Sequence, residues 1–435
     1  MPRVAFHTLG CKLNTAETSS LQRDFEERAY TVVPFGAPAD VAIVNTCSVT
    51  AEADRKCRQT IRRALRANPD ACVIVTGCYA QLQPDAVSAI SGVDVVLGTH
   101  EKARLFDFID SFEKRKRTQI HVSCINDNDT FAPAHLSSSQ TRAYLKVQDG
   151  CDYSCAFCTI PLARGRSRSG SMDLLVAQAR DLALRGVREI VLTGVNIGLF
   201  GQDLAEHVAL LDLLRRLDTV AGIERYRISS IEPNLLTDAI IDFVAASDRF
   251  LPHFHIPLQS GDNAVLGAMR RRYRRARYAD RVARIVHRMP EAAIGSDVIV
   301  GFPAETDIRF EHTLDFLRDL PVAYLHVFTY SERANTAAVE QPERMGAPVP
   351  MPVRAQRNRQ LRLLSEKKQQ AFTRTNLGTV RPVLWERSAK NGGMYGYTDN
   401  YIRVRREYDQ ARTGLVESVR LARICSDGIV EGASP

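Results

Sequence analysis

The sequence predicts an α/β protein in three parts: an N-terminal doubly wound parallel α/β domain, a central partial (βα)6 barrel and a small C-terminal β-barrel. Three observations predict it. Four short apolar runs alternate with helical patterns before residue 110. Six more such runs follow after residue 141. Residues 373–435 then change to short alternating strands with glycine turns.

In residues 1–110, VAFHTL (4–9), VAIVNT (41–46), CVIVTG (72–77) and VDVVLG (93–98) are too uniformly apolar for strands with one wet face, and read as buried parallel strands. Amphipathic stretches at Thr15–Ala29 and Ala53–Ala67 lie between them, the alternation of a doubly wound sheet. Residues 111–140 read as a linker: a charge run, Lys114-Arg115-Lys116-Arg117, taken as a solvated helix end, then a polar stretch, INDNDTFAPAHLSSSQT. The rhythm resumes in residues 141–352 with AYLKVQ (143–148), EIVLTG (189–194), RYRISS (225–230), HFHIPL (253–258), GSDVIV (295–300) and AYLHVFTY (323–330). Helical patterns such as Met172–Arg185 and Ala205–Leu217 separate them. Six consecutive βα units suggest an incomplete relative of the eight-fold barrel, whose active sites lie at the C-terminal ends of the strands. A basic helix follows at 353–372. In 373–435, RPVLWE, YIRVRR and ESVRLARI, with turn signals at Asn391-Gly392-Gly393, predict the small barrel.

The 435 residues carry 58 Lys and Arg against 50 Asp and Glu, a net +8 that favours polyanionic partners without proving one. The opening MPRVAFHTLG lacks a secretory pattern, and no apolar run approaches a membrane span, so a cytoplasmic protein with no membrane association is expected. In a reducing compartment the ten cysteines are not expected to form disulfides.

Six of those cysteines fall into two sets. Cys151, Cys155 and Cys158 sit on one short loop after the first barrel strand, spaced to wrap a cubane cluster. A [4Fe–4S] cluster needs four ligands and the loop supplies three, leaving one iron open. A structural zinc site would need a fourth Cys or His, and the loop has none. Cys11, Cys47 and Cys78 are far apart in sequence, yet each ends one of the first three predicted strands. Ligand sites form along that edge of a parallel sheet, and the identical placement favours a second cluster over three buried structural cysteines. Cys57, Cys72, Cys124 and Cys425 are read as bystanders.

The Cys151–Cys158 loop, with Phe157 before its last cysteine, resembles the signature of radical S-adenosylmethionine (SAM) enzymes. In that superfamily the open iron chelates SAM, and one electron then releases a 5′-deoxyadenosyl radical. Together the two sets resemble the radical SAM methylthiotransferase family over nearly the whole chain: a cluster domain, a radical SAM domain and a C-terminal TRAM-type barrel. Thr8-Leu9-Gly10-Cys11-Lys12-Leu13-Asn14 and Ser229-Ser230-Ile231-Glu232-Pro233 are similar to its MtaB branch. Further matches are Cys158-Thr159-Ile160-Pro161 with Arg164-Gly165, Thr193-Gly194-Val195-Asn196, His255–Gly261, Asp297–Pro303 and Gly396–Tyr401. Gly170 departs from the arginine common there, and Glu332, Ala334 and Asn335 replace Pro, Pro and Gly.

The resemblance implies a methylthio group placed on carbon 2 of N6-threonylcarbamoyladenosine beside the anticodon of tRNA. It implies two [4Fe–4S] clusters, one SAM as methyl donor and another as radical source. An electron donor and a sulfur source are implied partners, and a monomer is expected. By family position Phe157, Gly194, Asn196, Glu232 and Asp297 face the cofactor; helix capping is the competing reading for the two acids. RNA contacts are expected from the basic run that includes Arg270, Arg271 and Arg272 around Tyr273, and from Arg403 and Arg405 beside Tyr401. His255 is read as a core or orienting residue. The rival substrates are isopentenyladenosine in tRNA, disfavoured by Lys12 and by Ser229–Pro233, and an aspartate of a ribosomal protein. A non-catalytic iron–sulfur RNA-binding module is disfavoured because it needs no open iron.

Overall fold

The computed structural model describes residues 1–135, 141–205, 208–390 and 392–435, the side chains of 387–390 excepted. The last linker positions (136–140), residues 206 and 207 of the Ala205–Leu217 pattern, and Asn391 of the turn signal lie outside the described residues.

The first sheet contains β1 (Arg3–Thr8), β2 (Thr31–Val33), β3 (Val41–Thr46), β4 (Cys72–Gly77), β5 (Val95–Leu97) and β6 (Gln119–His121), all parallel, in the order β2-β1-β3-β4-β5-β6. Successive side chains alternate between its faces. Val41, Ile43 and Ile74 therefore pack against Leu21 and Phe25 of the helix Lys12–Glu26, while Ala42, Val44 and Val75 pack against Cys57 and Ile61 of the helix Ala51–Ala67. Strand β6 falls in the stretch read as a linker, so the sheet runs further than the sequence suggests. The Lys114–Arg117 run is not a helix end. Lys114 Nζ lies 2.9 Å from Asp94 Oδ2, and the Arg115 amide donates to Asp94 Oδ1, which ties the loop to the sheet.

The barrel strands are β7 (Arg142–Lys146), β10 (Glu189–Thr193), β11 (Arg225–Ile228), β12 (His253–His255), β13 (Ala293–Val300) and β14 (Tyr324–Thr329). A short antiparallel pair, β8 (Gln148–Asp149) with β9 (Arg168–Ser169), flanks the cysteine loop. Strands β7, β10 and β11 pair in parallel, as do β12, β13 and β14. Bridges at Tyr226–Phe250 and Ser230–His255 join the two halves, so six strands in sequence order form an open arc. Strand β12 stops before Pro257, which has no amide to donate.

The helix Met351–Thr375 crosses β14, where Ser365 Oγ caps both the amide and the carbonyl of Leu325. It leads into a closed barrel of β15 (Val380–Lys390), β16 (Gly393–Thr398), β17 (Arg403–Glu407), β18 (Val416–Ile424) and β19 (Val430–Ala433). This barrel docks against the central one: Arg225 and Arg227 donate to the carbonyls of Thr398 and Asp399 at 2.7–3.0 Å. Trp385 is fully buried at its centre against Val404 and Leu421. Trp385→Ala is expected to cost about 3–5 kcal/mol, visible as an earlier urea midpoint by circular dichroism.

Candidate active site

Cys11, Cys47 and Cys78 directly follow β1, β3 and β4 or their turns, and these strands are neighbours, so the three thiols gather at one sheet edge. Two glycines make room. Gly10 and Gly77 have φ of 105° and 94°. A Cβ on Gly10 would lie 2.8 Å from Cys47 Cβ, and one on Gly77 would lie 2.5 Å from Asn45 Oδ1. Asn14 Nδ2 donates to Leu9 O and Thr46 O, clipping two of the cysteine-bearing turns together. Burial, and then the neighbouring Cys78, push the Cys47 thiol up to about 11; burial also raises Cys78. Such thiols stay protonated until a metal ion displaces the proton. Cys57 and Cys72, both raised to about 12 chiefly by burial, lie in a helix and in a strand, outside the trio.

On the second loop every sulfur has a donor. The Tyr153 amide (3.4 Å) and Asn196 Nδ2 (3.8 Å) reach Cys151 Sγ, Arg271 Nη1 (3.1 Å) reaches Cys155 Sγ, and the Ile160 amide (3.4 Å) reaches Cys158 Sγ. Burial raises all three thiols, Cys158 to about 12. Donors aimed at sulfur stabilise thiolates and tune a cluster bound there. Three such cysteines on one loop, without a fourth ligand in it, fit a cubane with an open iron.

The polar residues around this loop are positioned from the strand ends. Gln148 Oε1 accepts from the amides of Val195 and Asn196, and a Cβ on Gly194 would lie 2.8 Å from Gln148 O. Asn196 Oδ1 is buried and has no protein partner, so an acceptor is left for a ligand. Burial raises the Glu232 carboxyl against the pull of Arg271, to which it is paired. Burial would also raise Asp297, but hydrogen bonds from His255 (2.9 Å) and then His326 (3.2 Å) hold it below the usual range. His255 thus orients a carboxylate. Phe157 packs edge-on to Phe302 and lines a cavity of about 350 Å³ with Cys158, Gln259 and Asp297.

The basic run needs one correction. Arg271, expected on RNA, has a side chain only 4% exposed and binds Cys155 and Glu232. Tyr273 is likewise buried, its hydroxyl on Pro257 O and Leu258 O. Arg270 and Arg272 are exposed, Arg272 stacked 4.1 Å over Tyr153. Arg403 stacks on Tyr395, and Arg405 pairs with Asp427 on the C-terminal barrel.

The two cysteine sets adjoin. Thr159, next to Cys158, donates to the carbonyl of Ser48, next to Cys47. Val49 and Thr50 line the same cavity as Cys158. A buried ionic network locks the two domains. Glu17, on the helix that begins after Cys11, pairs with Lys102 (2.5 Å), Lys146 (3.0 Å) and Arg164 (3.0 Å), and Arg164 also reaches Asp149 (2.9 Å) and Asn14 (2.6 Å). A second lock is Arg333, buried, on Ser48 and Asp54. It lies in the departing loop, where Asn335 adopts the left-handed φ of 63°. Gly170 packs against Phe131, 2.8 Å from where a Cβ would stand. Of these locking residues Asn14 and Arg164 stand in the motifs quoted above, and nothing in the sequence marks Glu17 and Arg164 as partners 147 positions apart.

Residues 3–98 match the model of the Uncharacterized protein family UPF0004, and residues 145–317 that of the Radical SAM superfamily. The chain is 39% identical over 430 residues to the threonylcarbamoyladenosine tRNA methylthiotransferase MtaB of Bacillus subtilis, covering 97% of this chain and 94% of that one. It is 37% identical to the MtaB of Aquifex aeolicus, covering 97% and 99%. It is 32% identical to the tRNA-2-methylthio-N(6)-dimethylallyladenosine synthase of Syntrophotalea carbinolica, covering 90% of each. Among solved structures it resembles the radical SAM methyltransferase TsrM of Kitasatospora setae, with a TM-score of 0.57 and 14% identity over 75% of this chain and 73% of that one, a likeness of fold. The chain belongs to the radical SAM methylthiotransferase family, in its MtaB branch.

Proposed function

We propose that this enzyme replaces the C2 hydrogen of N6-threonylcarbamoyladenosine in tRNA with a methylthio group. Cys151, Cys155 and Cys158 hold one [4Fe–4S] cluster and Cys11, Cys47 and Cys78 hold the other. When bound, the clusters and SAM supply one-electron chemistry, sulfur and a methyl group. The chain's own residues then do three things. Arg271 and Asn196 direct hydrogen-bond donors at the sulfurs of the first loop. Asp297, held ionised by two histidines, and the free oxygen of Asn196 offer acceptors to cofactor hydroxyl or amino groups. The interdomain contact holds the two cysteine sets beside each other through Thr159 and Ser48.

One observation supports the reading: the Thr159–Ser48 hydrogen bond, which joins the neighbours of Cys158 and Cys47 beside a cavity lined by Val49, Thr50 and Cys158. Radical generation and sulfur delivery both need to reach one base, and adjoining cysteine sets support that reading. Reconstituted protein, SAM, a reductant and sulfide, incubated without oxygen with tRNA carrying threonylcarbamoyladenosine, are expected to yield a nucleoside heavier by a methylthio group in place of hydrogen. A yield only on dimethylallyladenosine tRNA, or only on ribosomal protein, overturns the substrate.

The cytoplasm is the proposed location, since tRNA and reducing equivalents meet there, and the working unit is a monomer. Among the described residues no helix is long and apolar enough to cross a membrane. RNA contact is assigned to Arg270, Arg272, Arg403 and Arg405. Reversing the charge of Arg403 and Arg405 is expected to weaken tRNA binding by roughly tenfold near physiological salt and to flatten its salt dependence by about two units of slope. Filter binding at several salt concentrations checks this; an unchanged slope rules the pair out.

A further inference from the structure

The central barrel encloses a cavity of about 300 Å³ that the reaction scheme above leaves unused. Its lining includes Lys12, Arg142, Arg227, Ser229, His253 and Tyr401. Asp297 and Phe328 line both this cavity and the one that touches Cys158, so the two spaces adjoin. Lys12 directly follows Cys11 in the chain.

The charge in the cavity is unbalanced. Glu189 pairs with Arg225 and Arg227 at 2.9 Å and with Arg142 at 3.9 Å, and Glu386 also pairs with Arg142. Lys12, Arg142 and Arg227 line the cavity, while Arg225 and those two carboxylates lie outside its lining. The third carboxylate, Asp297, is engaged by His255 and His326. Lys12 is exposed, and among the described residues its ammonium has no hydrogen-bond or ion-pair partner; Ser229 Oγ and His253 Nδ1 are buried without one. Leaving those two buried atoms unpaired is costly, and a ligand that satisfies them gains accordingly. A compact anion with further hydrogen-bonding groups fits this wall. A branched hydrocarbon does not, since it would leave every one of these groups unpaired.

We propose that the cavity receives the threonylcarbamoyl arm of the substrate base and that Lys12, backed by Arg142 and Arg227, binds its carboxylate. The inference rests on the substrate proposed above. It makes Lys12 a specificity-determining residue, which turns away an N6 substituent that lacks a negative charge. The threonyl hydroxyl and the urea group find Ser229 and His253 within the same wall.

The test compares an anticodon stem-loop bearing threonylcarbamoyladenosine with the same stem-loop in which the threonyl carboxylate is a methyl ester. For reconstituted wild-type enzyme the ester is expected to raise KM by about 10- to 100-fold, the worth of one charge-assisted hydrogen bond. Lys12→Met is expected to raise KM for the acid towards that of the ester, and Lys12→Arg to restore the preference. Equal KM for acid and ester with an active wild-type enzyme overturns this proposal while the substrate reading stands. No product from either substrate overturns the substrate reading, and this proposal with it. The wild-type comparison decides whether the carboxylate is read, and the contrast of Lys12→Arg with Lys12→Met decides whether Lys12 reads it: an acid preference that survives in Lys12→Met overturns the assignment.

Discussion

Replacing Cys11, Cys47 and Cys78 together by alanine is expected to abolish methylthiolation. Cleavage of SAM to 5′-deoxyadenosine should remain measurable above the level of a Cys151→Ala control. The reason lies in the division of labour between the two trios. The loop at Cys151–Cys158 draws its sulfur donors from its own backbone, from Asn196 and from Arg271, and none comes from the N-terminal sheet. Losing the N-terminal thiols therefore removes the sulfur route without stripping the first loop of its partners. Chromatography of 5′-deoxyadenosine beside mass spectrometry of the nucleosides separates the two activities. Retention of full methylthiolation by the triple variant would show that sulfur arrives by another path.

The second large effect concerns the ionic lock between the domains. Arg164→Met is expected to destabilise the protein by about 3–5 kcal/mol, because it leaves Glu17 and Asp149 buried with a partner missing. Burial alone would raise both carboxyls. Arg164, Lys102 and Lys146 hold Glu17 well below its ordinary value, and Lys146 and Arg164 do the same for Asp149. The sign follows from linkage. A carboxylate depressed in the folded state contributes its stability above the unfolded value, near pH 4, and loses it as the pH falls towards the folded value. The cost of Arg164→Met should therefore be largest at neutral pH and shrink below about pH 4, where the orphaned acids take up protons. Urea melts of the reconstituted protein at several pH values measure it. A cost that is the same at about pH 3 as at pH 7 would mean that the lock carries no net charge coupling.

The long strands were legible because burial on both faces leaves an uninterrupted apolar run, as in β3 and β4. Cys11, Cys47 and Cys78 were legible because each sits where such a run ends, and Cys151, Cys155 and Cys158 by their spacing on one loop. Strands β2 and β6 were not, since three-residue edge strands bury too little to pattern the sequence. The role of Arg271 was hidden for a different reason. A buried arginine on a cluster loop and an exposed arginine on a helix look alike in a row of six, and only packing of Tyr273 beneath the strand carbonyls turns one of them inward. The Glu17–Arg164 lock joins residues 147 positions apart, a distance no local pattern spans. Lys12 stood in a motif from the outset, but its place beside Arg142 and Arg227 on one cavity wall becomes visible only in the fold.

The proposed reaction needs two separate cluster sites on one chain. Iron analysis with Mössbauer spectroscopy of the anaerobically reconstituted wild-type chain, before and after addition of SAM, tests this most directly. About eight irons per chain in two [4Fe–4S] clusters, with the spectrum of a single iron of one cluster altered by the cofactor, is the result expected. About four irons per chain, or a spectrum that the cofactor leaves untouched, would contradict it.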